Sequence, residues 1–219
     1  MAVDRGDLKW FYAGWVMLST LSVPFALYTS IIVIVAGSPQ VTEDFLTFMF
    51  IPTFGLLTGL LQYVLLRGYL PRLGRWTWWI VVTALGLTLG IVLGFLGSRI
   101  WSILSGSSTW GMEIGWMGAA GVWARQLDPF RMLSSVMGPA VGATIGLAQW
   151  LVLRKRVPRA GWWILASVVG WALVQPITGA VFDSLLEFLA IGAVPAGVTG
   201  LVMWWLLVGL PDHAWEASV

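Results

Sequence analysis

The sequence predicts an all-α integral membrane protein of six transmembrane helices, arranged as three parallel repeats of a helical hairpin. Three observations carry this expectation. Only 10% of the 219 residues are charged and 58% are hydrophobic, whereas a soluble domain carries about 25% charged residues; so few charges cannot cover a surface facing water. Six charge-free windows are each long enough to cross a bilayer. A pattern of glycine, glutamine and tryptophan recurs along the chain with each copy starting from the same side.

The windows are 10–42, 45–66, 76–98, 132–153, 160–182 and 188–211. A span needs roughly 20 apolar residues, each advancing about 1.5 Å across a core of about 30 Å. The last five windows hold one span each. The first is longer, so its helix is expected to end near Val35, with a turn at 36–39 where Gly37, Ser38 and Pro39 cluster. Its apolar stretch far exceeds the roughly 7–15 residues of a signal-peptide core. Asp4 and Asp7 are mixed with Arg5 and Lys9 before it, which also favours a retained helix.

Segment 99–131 holds Trp101, Trp110, Trp116 and Trp123 among glycines and serines, with Glu113 in its most apolar part. Gly111, Gly115 and Gly118 are a poor basis for an isolated helix. The expectation is an excursion on the lipid interface with one short helix, the alternative being a seventh span or a re-entrant loop.

Orientation follows from the basic residues. With six spans, Arg5, Lys9, Arg67, Arg72, Arg75, Arg154, Lys155, Arg156 and Arg159 share one side, and only Arg99, Arg125 and Arg131 fall on the other. Both termini are therefore expected in the cytoplasm.

The repeat is explicit. Gly55, Gly59, Gln62 and Arg67 correspond to Gly142, Gly146, Gln149 and Arg154, and Pro71-Arg72 to Pro158-Arg159. Trp78-Trp79-Ile80 corresponds to Trp162-Trp163-Ile164, with a looser Trp10–Trp15 version in the first copy. A fainter third copy carries Gly197 and Gly200, with Met203 in the glutamine's place. The hairpins occupy 8–67, 76–154 (with 99–131 as an insertion) and 160–210 of a single membrane domain, 1–219. Glycines one turn apart let helix backbones approach where no hydrophobic drive exists. Gly55 and Gly59, Gly86, Gly90 and Gly94, Gly142 and Gly146 with Gly138, and Gly200 with Gly192 and Ala196 are thus helix-packing candidates. A glycine-lined conduit is the sharper alternative.

The motif G-x-x-x-G-x-x-Q-W-L-V-L-R followed by W-W-I-L-A-S-x-x-G-W resembles a group of uncharacterised bacterial multi-pass membrane proteins that carry it in tandem. The resemblance covers most of the chain except 99–131. It implies the hairpin fold, a phototrophic setting and a bacterial inner or photosynthetic membrane; it implies no activity.

The chemistry available is narrow. With no cysteine and one histidine, His213, thiolate chemistry and iron–sulfur clusters are excluded, and no metal or cofactor is expected. A net charge of +2 gives no nucleic-acid surface. Most of the 16 tryptophans are expected in headgroup belts. Gln62 and Gln149 carry amides that lipid cannot satisfy, so they are expected to face other helices, as interhelical hydrogen bonds or as ligand contacts. Arg67, Arg154, Lys155, Arg156 and Arg159 are candidate contacts for anionic lipid phosphates. Asp183 and Glu187 are expected in a solvated turn, with a cation site as the alternative. No base stands near Ser105, Ser107 or Ser108 to activate a serine. The resulting expectation is a non-enzymatic accessory or scaffold subunit packing against other membrane subunits of a photosynthetic or respiratory complex. The alternative is a small channel or carrier for a neutral solute or lipid.

Overall fold

The computed structural model describes residues 5–37, 43–69, 77–104, 127–155, 157–178 and 185–208. They form six α-helices: α1 (Arg5–Gly37), α2 (Glu43–Tyr69), α3 (Thr77–Leu104), α4 (Leu127–Leu153), α5 (Trp162–Thr178) and α6 (Leu185–Val208). Four are long and apolar enough to cross a membrane, over Leu8–Ile32, Phe50–Tyr69, Thr77–Gly94 and Leu189–Val208. Among the described residues, α4 and α5 contribute the shorter apolar stretches Met137–Leu153 and Trp162–Val174.

Two boundaries differ from the sequence expectation. Helix α3 runs past Arg99 to Leu104, and α4 begins at Leu127, before Arg131. A charge ends a hydrophobic window but not a helix: arginine is a good helix former, and no glycine or proline occurs from Ser98 until Gly106. Both ends of 99–131 therefore belong to helices, and its centre, with Trp110, Glu113, Trp116 and Trp123, lies outside the described residues. Glu187 falls in the first turn of α6 rather than in a turn between helices. Asp183 lies outside the described residues, as do His213 and Arg156.

Each helix packs on its neighbours in sequence, and α1 also packs on α6, closing the six into a ring. Two apolar clusters fill it at different depths. The first contains Phe11 and Trp15 of α1, Leu66 of α2, Trp79 of α3, Leu153 of α4, Trp163 of α5 and Met203 of α6. It lies where the start of α1, the α2 end, the α4–α5 connection and the α6 end meet. The second contains Val23 and Ala26, Phe54, Leu87, Val141 and Ile145. Outward, Leu21, Leu60, Leu85, Leu147, Leu165 and Leu201 are exposed, one from each helix, as in a bundle that faces lipid on all sides.

Glycine makes the ring this tight. A Cβ added at Gly55 would lie 2.8 Å from Cα of Ala84, and one at Gly59 2.9 Å from Cα of Ile80, so α2 has no room for side chains against α3. Gly86 is held the same way against Ile145 (2.9 Å), and Gly90 against Val141 (2.6 Å). Gly94 faces Met137 and Gly138 faces the carbonyl of Trp171. Gly142 and Gly146 abut Val168 and Ile164 of α5 (2.7 and 3.0 Å), and Gly192 of α6 abuts Thr20 of α1 (2.7 Å). Gly200 lies under Trp15 and Tyr12. Apart from Gly200, which meets side chains, these glycines serve backbone contact between helices, the role small residues play where lipid supplies no hydrophobic drive.

Candidate functional site: a polar layer around a tryptophan triad

Between the two apolar clusters lies a layer of buried polar side chains: Ser19, Gln62, Thr83, Gln149, Ser167 and Thr199, one from each helix, all at most 7% exposed. Its floor is aromatic. Trp15, Trp79 and Trp163 meet at the axis with ring centroids 6.1, 5.8 and 5.8 Å apart. All three contacts are edge-to-face, which presents the positive edge of one ring to the negative face of the next. The doublets Trp78-Trp79 and Trp162-Trp163 divide their labour by helical position. Trp79 and Trp163 are buried, while Trp78 and Trp162 are more than half exposed. The headgroup-belt expectation therefore misses the central three. Their indole N–H groups have partners inside the bundle, which composition cannot reveal.

Those partners are the glutamines. The indole Nε1 of Trp79 donates to Oε1 of Gln62 (2.9 Å), and Nε2 of Gln62 donates to Oγ of Ser19 (3.1 Å). Likewise Nε1 of Trp163 donates to Oε1 of Gln149 (2.9 Å), whose Nε2 donates to Oγ1 of Thr83 (2.8 Å). Each amide thus ties three helices: α1, α2 and α3 through Gln62, and α3, α4 and α5 through Gln149. Thr83 passes its own proton to the carbonyl of Trp79 (2.7 Å), so that chain of bonds is closed.

The remaining sector, α5–α6–α1, is built differently. The indole of Trp15 donates to Oγ1 of Thr199 at 3.3 Å. The sequence correspondence had put Met203 in the glutamine's place, yet the acceptor stands one helical turn earlier. The glycine contacts agree with this register: Gly55 and Gly142 precede their glutamines by seven residues, and Gly192, seven before Thr199, makes the corresponding backbone contact on α1. Met203 instead lies fully buried in the first apolar cluster. Threonine has no amide to offer, and its single proton goes to the carbonyl of Pro195 (2.7 Å). Ser167, the counterpart of Ser19 and Thr83 four residues after its tryptophan, has no hydrogen-bond partner among the described residues although 1% exposed. A buried hydroxyl in that state costs about 1–3 kcal/mol.

Beside this gap is a cavity of about 50 Å³, bordered by side chains of all six helices, including Ser19, Gln62, Gln149, Ser167 and Thr199. Trp163 borders it on one side. On the other, Phe54 of α2 and Trp171 of α5 meet edge to face across the ring, 6.5 Å apart.

At the end of the ring nearer the tryptophans, Arg67, Arg154, Lys155 and Arg159 are exposed. Arg67 donates to the hydroxyl of Tyr63 (3.2 Å), and the Arg154 guanidinium lies 5.2 Å over the Trp150 ring. The α4–α5 connection is held by bonds from Val157 N to Leu153 O (2.9 Å) and from Trp162 N to Arg159 O (3.1 Å), with Arg159 in the left-handed region at φ 58°. Among the described residues no group of three or more His, Cys, Asp or Glu could hold a metal ion. No family model, curated protein or solved structure matches the chain.

Proposed function

We propose that this chain is a non-catalytic accessory or scaffold subunit of a larger bacterial membrane complex, photosynthetic or respiratory as the motif resemblance implies. In this reading all six helices span the bilayer as three parallel hairpins, with both termini in the cytoplasm. One observation carries it: the strongest hydrogen-bonding side chains in the core, Gln62 and Gln149, each commit an amide donor and the amide oxygen to neighbouring helices, at Ser19 and Trp79 and at Thr83 and Trp163. A bundle whose amides tie its own helices together is built to hold shape, and what it offers a partner is its outer face. The exposed Arg67, Arg154, Lys155 and Arg159 would rest against anionic lipid phosphates at the cytoplasmic surface, each contributing about 1 kcal/mol. Purification in mild detergent, with identification of co-purifying chains, tests the role: a stable larger complex is expected, and a chain that always isolates alone overturns it. Reporter fusions after Val41 and at the C-terminus are expected on opposite sides of the membrane, the latter cytoplasmic; both on one side would break the six-span topology.

The second reading, a small channel or carrier for a neutral solute or lipid, draws on the polar cavity. The Trp15–Trp79–Trp163 triad and the Phe54–Trp171 pair stand across the axis on either side of it. Gly86, Gly90, Gly142 and Gly146 face neighbouring backbones, which leaves little of a glycine-lined path.

A further inference from the structure

We propose that the chamber between the tryptophan triad and the Phe54–Trp171 pair is a binding site for small neutral hydroxylic guests, held by the hydroxyl of Ser167. Three features point there. First, Ser167 is 1% exposed, borders the chamber and has no hydrogen-bond partner. Among the described residues none pairs with its hydroxyl, whereas Ser19 and Thr83, at the matching position after their tryptophans, each receive an amide N–H. Second, the gap lies where α6 carries Thr199 rather than a glutamine. The shorter side chain removes both the donor that would reach Ser167 and the volume that would fill the space. Third, Pro195 has no N–H to give the carbonyl of Ile191, and both residues border the chamber, so a further acceptor lacks its usual helical donor.

Size and charge set the guest. A water needs about 10–15 Å³ of such space, so a chamber of about 50 Å³ takes roughly three to five waters, or one neutral molecule of a few heavy atoms bearing a hydroxyl. Among the described residues no ionisable side chain borders the chamber, which disfavours an ion at this depth. Phe54, Leu87 and Ile145 supply an apolar wall for the carbon end of a short alcohol.

The test uses the full chain in nanodiscs with labelled isoleucine δ-methyls, since Ile145 and Ile191 border the chamber. Water-to-methyl Overhauser contacts at these two residues are expected in the native protein. Thr199→Gln is expected to abolish them, because its amide would reach Ser167 and fill the space. Ethanol is the second probe. Saturable shifts at Ile145 and Ile191 that disappear in Thr199→Gln would make the guest an organic hydroxyl that displaces water. Water contacts without an ethanol response would make the resident guest water itself. Should Thr199→Gln fail to fold, Ser167→Val serves as the filling variant, with the same loss of contacts expected. A native protein with neither water contacts nor ethanol shifts at these methyls overturns the proposal. So do contacts that persist unchanged in a folded filling variant.

Discussion

Gln149→Leu should destabilise the folded bundle by about 2 kcal/mol, although leucine is the more lipid-compatible residue. The reason is what it abandons. The Trp163 indole N–H is buried, with its acceptor at 2.9 Å on Gln149, and leucine offers no acceptor in its place. A buried donor left unpaired costs about 1–3 kcal/mol. Thr83 loses the Gln149 amide donor but keeps its own bond to the Trp79 carbonyl, so the indole carries most of the penalty. A second change isolates the term. Trp163→Phe added to Gln149→Leu removes the orphaned donor, so the loss in the double variant should be smaller than the sum of the two single losses by about 1 kcal/mol or more, as expected for residues in direct contact. Unfolding in a single detergent, followed by near-ultraviolet circular dichroism, measures all three variants. A Gln149→Leu loss below about 0.5 kcal/mol, the level of an ordinary surface substitution, would mean that the amide layer does not hold the ring together.

How much of this was legible in the sequence depends on the kind of signal. Helix number and approximate position follow from hydrophobic length, because burial in lipid leaves a one-dimensional trace. The two glutamines were legible as residues that must face inward, since an amide in hydrocarbon without partners is expensive. Their partners were not. Trp79 and Trp163 lie 17 and 14 residues from Gln62 and Gln149, on the next helix, and nothing in a doublet of tryptophans says which faces the axis. In hindsight the doublet itself was the signal, because adjacent positions on a helix are about 100° apart and two indoles cannot both face lipid squarely. The sixth helix was misread by one turn for a physical reason. Gly197 and Gly200 match the motif by identity, but the backbone contact with α1 is made at Gly192 and the indole bond at Thr199, while Gly200 meets only the side chains of Trp15 and Tyr12. A short side chain that merely permits approach is indistinguishable in sequence from one that makes it; Gly197 has nothing within 4 Å of where a Cβ would be.

That distinction yields the sharpest contrast in the molecule. Gly142→Ala should lose about 2–3 kcal/mol of stability, while Gly197→Ala should be neutral or gain up to about 1 kcal/mol. At Gly142 the new methyl would lie 2.7 Å from Cα of Val168 and closer still to the Ser167 carbonyl. These are backbone atoms of α5 that no rotamer change can clear. Helices α4 and α5 must then part, and overpacking of this kind costs about 1–3 kcal/mol. Parting them also draws Gln149 away from Trp163, since both bonds of that amide span neighbouring helices; the packing loss and the hydrogen-bond loss arrive together. At Gly197 the methyl meets open space, and alanine is favoured over glycine in a helix interior by about 0.8–1.0 kcal/mol. The same chemical change therefore carries opposite signs at two glycines of the bundle. Equal effects at both sites would remove the close-packing account of Gly142. A folded, fully stable Gly142→Ala variant with altered solute passage would favour the conduit instead.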